Sequence, residues 1–312
     1  MYYPYLRARQ FELISLRELV IEKEIQDVIF PVLEPVKEEL NNLNIAHKVF
    51  QESDLFSYII VNPNIGERPG DDFYYLNYLS QINNSNFIPA FHYRSNLEFI
   101  NYSIIKFEIE KCLIIGYEGF NDDNDFRSIC DLKAVTDIMV FEPQKFRSLD
   151  KFIKGLGKKI IRLDDLFEKK PNNATFLGIE AHKFSEEHLY YKNDNYYGFS
   201  DFTVLPSLFV DGGSTPRAVV IHLTYIDHNK DSEIWIRHFT SNTNDSIANV
   251  QGKFFEAATK ALDFCDSLKL SNSAIEELRQ YAREGKYPGL GTVKKISIKN
   301  HLIVVAEFLK KS

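Results

Sequence analysis

The chain has 312 residues, a length that one α/β barrel accounts for without a second domain. Its 44% hydrophobic and 26% charged residues are ordinary globular usage and exclude a largely disordered chain. A formal net charge of −7 excludes bulk attraction to nucleic acid and leaves such binding to a local basic cluster. No window holds about 18 uninterrupted apolar residues, so no membrane-spanning helix is expected.

The opening stretch, MYYPYLRARQFEL, reaches Arg7 and Arg9 before any long apolar run and so lacks the core of a secretory signal. Within it, YYPYL (2–6) begins a series of short apolar runs: IFPVL (29–33), YIIV (58–61), FIPAF (87–91), CLIIGY (112–117), DIMVF (137–141) and KIIRL (159–163). Their starts lie roughly 22–29 residues apart, the period of strand, loop, helix and loop in parallel α/β units. An eighth run, FTVLP (202–206), follows a longer gap.

Between the runs the spacing predicts helices over 9–20, 36–50, 71–82, 97–110, 125–134 and 146–157. Asp71, Asn96 and Asp125 are the expected N-caps, and Gly155 or Gly157 the stop of the last of these helices. The period alone also fits an open doubly wound sheet, but eight such strands favour a (β/α)8 TIM-barrel-like domain.

After residue 206 the pattern changes. Residues 217–241 read as a β-hairpin, and helices are expected over 250–268, 273–285 and 298–311, with the break KYPGLG (286–291) before the last. The organisation expected is a single domain over 1–312, with a barrel core over about 1–206, the hairpin, and a C-terminal helical appendage over 249–312. Cys112, Cys130 and Cys265 are widely spaced and form no CxxC pair or zinc-like pattern, which fits a reduced, cytoplasmic setting.

The segments FPVLEP (30–35) and IMVFEP (138–143) both end an apolar run in a carboxylate and a proline. A carboxylate inside a packed strand would be costly, whereas at a strand's exit it is solvated or paired. In barrels the C-terminal strand ends gather around one mouth, so the residues there carry the chemistry. They are Arg7 and Arg9, Glu34, Asn62 and Asn64, His92 and Arg94, Glu118, Glu142, and Asp164 with Asp165. Such a ring could bind an anionic or phosphate-containing ligand, hold a divalent cation on carboxylates, or supply acid/base groups. An ion-pair network that merely closes the barrel top uses the same residues.

His92 and Arg94 form the most reactive-looking cluster, because histidine titrates near neutrality and arginine orients anions. Asp201, in GFSDF, stands where the eighth strand should begin and could face the barrel interior, as a catalyst or equally as a core carboxylate bonded to arginine or backbone amides. In WIRHF (235–239) strand alternation puts Trp235, Arg237 and Phe239 on one face and Ile236 and His238 on the other, as in an ordinary amphipathic hairpin. The loop DGGSTPR (211–217) lacks the Walker pattern, and GxSxG, HExxH and GxGxxG are absent.

The segments YYPYLRARQFELISLREL, FPVLEP and GFSDFTVLP resemble the beta-protein-like family of phage and bacterial proteins, in its bacterial branch, over residues 1 to about 240. The resemblance implies a barrel-like α/β domain with a basic and polar N-terminal motif, here Arg7, Arg9 and Gln10, an acidic position, here Asp201, and a role in phage conflict.

Two functions are expected. One is a ligand-binding barrel for a small anion or nucleotide. The other is a metal-dependent hydrolase or phosphodiesterase on a nucleotide or nucleic acid, with Glu34, His92, Glu118, Glu142 and Asp201 as its catalytic set. The apolar run HLIVVAEFL (301–309) provides a surface to dock on the barrel, on a second copy of the chain or on a protein partner.

Overall fold

The structure is a computed structural model that describes residues 1–82, 85–117, 119–212 and 217–312. Seven of the apolar runs form parallel strands: β1 (Tyr5–Leu6), β2 (Val32–Leu33), β3 (Ser57–Ile60), β4 (Phe87–His92), β5 (Cys112–Gly116), β6 (Val135–Phe141) and β7 (Lys159–Leu163). After β8 (Ala181–Ser185), which lies in another sheet, β9 (Gly198–Ser200) pairs with β7 and completes the order β1-β2-β3-β4-β5-β6-β7-β9. Closure comes from Tyr2, which bridges in parallel to both Ile29 and Phe199, and from the N–H of Tyr5 donating to Asp201 O at 2.9 Å. The result is the expected TIM-barrel-like fold.

Strand alternation sorts the core into two clusters. Tyr5, Val32, Ile60, Ala90, Ile115 and Met139 belong to the group that fills the barrel. Leu6, Leu33, Ile59, Phe91, Ile114 and Ile138 face the surrounding helices. Helices α1 (Gln10–Ile21), α2 (Asn41–Glu52), α3 (Tyr74–Ser80), α4 (Leu97–Lys106), α5 (Asn124–Asp131) and α6 (Arg147–Lys154) follow the first six strands.

Their caps differ from expectation. The side chain of Asp123, not Asp125, caps α5 by accepting from the Phe126 N–H. Asp71 lies ahead of α3, which starts after Phe73. Asn96 holds the cap position of α4, but its Oδ1 accepts from the Arg94 N–H at 3.1 Å instead. Gly155 closes α6 as expected.

The eighth barrel strand is Gly198–Ser200 rather than 202–206. Asp201 Oδ1 accepts from the Thr203 N–H at 2.7 Å and Thr203 takes φ 56°, so the chain turns there instead of extending. Gly198 suits its strand because a Cβ would strike the Tyr3 ring and come within 2.8 Å of Met1 O.

The hairpin is β10 (Val220–Asp227) and β11 (Glu233–Thr240), and β8 pairs antiparallel with β11 to give a second sheet ordered β10-β11-β8. The short α7 (Glu187–Tyr190) links β8 toward β9, and the chain ends in α8 (Val250–Leu268), α9 (Ser273–Arg283) and α10 (Leu290–Lys311). Helix α10 starts at Leu290 rather than 298 and is no appendage. It packs on α1, α7, α9 and β10, with Ile298, Leu302, Ile303, Val305 and Ala306 buried in the core shared with the barrel. The apolar run 301–309 therefore docks on its own barrel.

All three cysteines are free and buried. Among the described residues no helix is long and apolar enough to cross a membrane.

Candidate functional site

On the first five strands, the inward parity set by Tyr5, Val32, Ile60, Ala90 and Ile115 continues to His92, the last residue of β4, and past the other strand ends to Arg7, Glu34, Asn62 and Tyr117. These five side chains form a polar layer over the apolar filling. Glu34, 1% exposed, is its centre. Its Oε2 accepts from the Tyr5 hydroxyl at 2.8 Å and from the Arg7 guanidinium, and its Oε1 accepts from the Asn64 N–H at 2.8 Å.

Tyr5 spends its proton on Glu34, so its oxygen accepts from His92 Nε2–H at 2.9 Å. Nε2 also lies 3.6 Å from Glu34 Oε1, and the buried Nδ1 of His92 has no partner among the described residues. The backbone of His92 is clamped by Asn62, which accepts from its N–H at 2.8 Å and donates to its carbonyl at 2.9 Å. Arg94 extends the network outward, donating to Asn64 Oδ1 at 2.8 Å, Asn62 O at 3.1 Å and Asp71 at 2.9 Å.

Burial alone would raise the Glu34 carboxyl. The hydrogen bond and charge of His92, the charge of Arg7 and the Asn64 N–H outweigh it and hold the group at about 2. Burial, reinforced by the Glu34 charge, pushes the Tyr5 hydroxyl well above its ordinary value. Glu34 thus stays ionised and Tyr5 protonated across the physiological range.

Arg7, Glu34, Asn62, Asn64, His92 and Arg94 are therefore joined in one network. Among the described residues, Glu142, Asp164 and Asp201 stand apart from it. Glu142 follows inward-facing Phe141, adopts φ 44° and pairs with Lys145. Asp164 faces outward with Arg162, which donates to it at 2.7 and 3.0 Å and also meets Glu187 at 2.8 Å. Burial, counteracted by Arg162, leaves Glu187 raised to about 7.

Asp201 also faces outward, because Phe202 takes the inward position. It accepts from the Tyr2 hydroxyl at 2.6 Å and lies 3.6 Å from His301 on α10. Gln10 is exposed at the start of α1, and Glu118 lies outside the described residues. Among the described residues no three His, Cys, Asp or Glu side chains are grouped to hold a metal ion. Among the described residues the carboxylates expected of a metal-dependent hydrolase do not converge, since Glu34, Glu142 and Asp201 each have separate partners.

Three depressions open at the mouth; one, of about 330 Å³, is lined by Asp165, Glu168, Lys169 and Ser207 among others, and the other two adjoin the network. The first, about 180 Å³, includes Tyr5, Arg7 and Phe202 with Arg9, Lys169, Lys294 and the strap of residues 205–210. Its one acid among the described lining residues, Glu12, is 1% exposed and already accepts from the Arg7 N–H at 2.5 Å and from Lys294 at 2.8 Å. The second, about 470 Å³, is lined by Asn64, Tyr93, Arg94, Tyr117, Phe120 and Asn121 among others. Tyr117 stands between them, its ring 6.0 Å from those of both Tyr5 and Phe202.

Sequence reasoning missed Tyr5, Tyr117, Glu12, Lys169 and Lys294. Tyr5 and Tyr117 were signalled by the two-residue period that leads into Arg7 and out of Ile115. Lys169 and Lys294 come from distant segments and carry no local signal.

No known family model, curated protein or solved structure matches the chain, so what the site does is argued from its own geometry.

Proposed function

We propose that this barrel binds a small phosphate-bearing or otherwise anionic ligand at its C-terminal mouth, in the cavity over Tyr5 and Phe202. The observation that carries this reading is the cavity's charge: Arg7 is paired with Glu34 and Lys294 with Glu12, the one acid among the described lining residues, which leaves Arg9 and Lys169 as its surplus cations. Arg9 has its nearest acid, Asp211, at 3.9 Å, and Lys169 is exposed, so both cations are available to an anion.

The position supports it as well. Lys169 follows the seventh barrel strand and the strap follows the eighth, the loops that frequently hold phosphate in this fold; that part is analogy at the level of fold. At about 180 Å³ the cavity is smaller than the ~300–1,000 Å³ typical of whole-ligand clefts and suits one anionic group.

The binding reading is favoured over a hydrolase or phosphodiesterase because Glu34 and Tyr5 do not exchange protons near neutrality. The enzymatic reading retains only the unpartnered Nδ1 of His92. The free, buried cysteines fit the cytoplasmic setting expected from the sequence, and the family resemblance would set such binding in phage conflict.

Titration calorimetry of the full chain with inorganic phosphate tests the proposal. The wild type is expected to bind, and the double variant Arg9→Ala, Lys169→Ala to bind at least tenfold more weakly with an unchanged thermal midpoint. Equal binding by the two proteins, or none by the wild type, overturns it.

A further inference from the structure

We infer that the mouth is bipartite and that its ligand is a sugar phosphate, with the phosphate in the cationic cavity and the hydroxyl groups in the neighbouring cleft of about 470 Å³. The inference rests on the anion-binding reading and extends it by naming what the anion is attached to.

The cleft offers hydrogen-bonding groups. The side-chain oxygen of Asn64 accepts from Arg94 and its backbone N–H serves Glu34, and among the described residues its Nδ2 has no acceptor, so it can donate. Asn121 is exposed and its amide has no partner among the described residues. Arg94 keeps one Nη1 proton after its bonds to Asp71, Asn62 and Asn64. Amide and guanidinium groups at one rim match a moiety that carries several hydroxyls. A purine or pyrimidine would instead need an open aromatic face, yet Tyr93 and Phe120 are 3% and 8% exposed and the half-buried Tyr117 ring packs near Tyr5, His92, Phe141 and Phe202.

The two depressions are also coupled. Tyr117 separates them by a single side chain, with its ring 6.0 Å from Tyr5 and from Phe202 on the cationic side. A ligand with its phosphate in the cavity therefore meets the cleft across the Tyr117 ring. The network from Arg7 through Glu34, Tyr5, His92 and Asn62 to Arg94 holds the two halves in fixed relation, so little ordering is left for the ligand to induce.

Calorimetry of the full chain with inorganic phosphate, ribose, ribose 5-phosphate, glucose 6-phosphate and adenosine monophosphate tests this. At least one sugar phosphate is expected to bind ten times more tightly than inorganic phosphate, with ribose undetectable. Asn121→Ala should lower that preference to threefold or less while leaving phosphate affinity unchanged.

Equal affinity for phosphate and both sugar phosphates, or an undiminished preference in Asn121→Ala, overturns the bipartite site and leaves the anion site standing. Adenosine monophosphate binding ten times more tightly than either sugar phosphate overturns the polyhydroxyl assignment. No binding of phosphate at all removes the underlying reading, and this inference with it.

Discussion

Glu34 is a buried charge whose removal strands another. Replacing it with Gln leaves the Arg7 guanidinium, itself 9% exposed, without its counter-charge, and breaking one side of a buried pair costs about 3–5 kcal/mol. Urea unfolding at pH 7 is expected to show a loss of that size for Glu34→Gln. The pH dependence has a definite sign. The folded-state value of about 2 lies below the ordinary 4.5, so the contribution is complete above pH 4.5 and lost as pH falls through about 2. The gap between wild type and variant should therefore stay constant from pH 7 to about 5 and narrow below that. A gap already closing at pH 6 would show that Glu34 is not the ionised partner of Arg7.

Reading the polar residues after each apolar run picked Arg7, Glu34, Asn62 and His92, which join one polar layer, and also Glu142 and Asp164, which stand apart from it, as does Asp201, picked from the expected start of the eighth strand. Parity separates the two groups. The first four lie two residues beyond an inward-facing strand residue, whereas Glu142, Asp164 and Asp201 lie next to inward-facing Phe141, Leu163 and Phe202. Proximity to a strand end was legible in the sequence, and the face was legible too, had the two-residue period been carried past the last apolar letter.

The second sheet shows what short elements conceal. Its three strands each contribute a histidine, and the three form a chain: His222 Nδ1 lies 2.7 Å from His238 Nδ1, and His238 Nε2 lies 3.0 Å from His182 Nε2. His182 Nδ1 lies 3.0 Å from Lys183 O, an acceptor only, so that nitrogen carries a proton and the other protons in a neutral chain run the same way, from His222 toward His182. The hairpin was legible because β10 and β11 alternate over eight residues each, whereas AHKFS in β8 has no such alternation and pairs only because β11 is already in place.

Burial pushes His222 down to about 3, helped by the charges of His238 and His182. Burial with His182 and Lys170 pushes His238 down to about 4 against the pull of Glu168, while the Phe167 and Phe176 rings pack on both histidines. Since these values lie below the ordinary 6.5, the stability they report is complete above pH 6.5 and lost as pH falls toward 4 and 3. At pH 5 the His222 term alone has cost about 2 kcal/mol, a window that opens well above that of Glu34. Urea midpoints at pH 7.5 and pH 5 should differ markedly in the wild type and less in His222→Gln. An equal drop in both proteins would place the acid sensitivity elsewhere.

At the scale of the molecule, the C-terminal helix is part of what closes the barrel. The seam where β9 meets the start of the chain is backed by α10: Tyr2 donates to Asp201 at 2.6 Å and lies 3.0 Å from His301 Nε2, while Asn300 donates to Thr224 O of the second sheet at 2.8 Å. Further along, Lys295 and Lys299, 7% and 2% exposed, reach Glu18 of α1 at 2.8 and 2.9 Å. The sequence hid the first turns of this helix behind Pro288, Gly289 and Gly291. It hid the helix's burial behind the polar run KNH (299–301), whose partners include Glu18 on α1, Thr224 on β10, Tyr2 and Asp201 and so are invisible to a local pattern.

Deleting residues 298–312 removes His301, Lys299 and the apolar face formed by Leu302, Ile303 and Val305. It thereby exposes the outer side of β1 and α1 and leaves Asp201 buried against a gap. Losses from unpaired buried polar groups and from core side chains of about 2–5 kcal/mol each exceed a typical total stability of about 5–15 kcal/mol. The truncated chain is expected to lose its cooperative urea transition and its near-ultraviolet circular dichroism, whatever the assembly state of the full chain. A truncated protein that still unfolds in a single cooperative step would mean that the barrel closes on β9 and β1 alone, with α10 an outer covering.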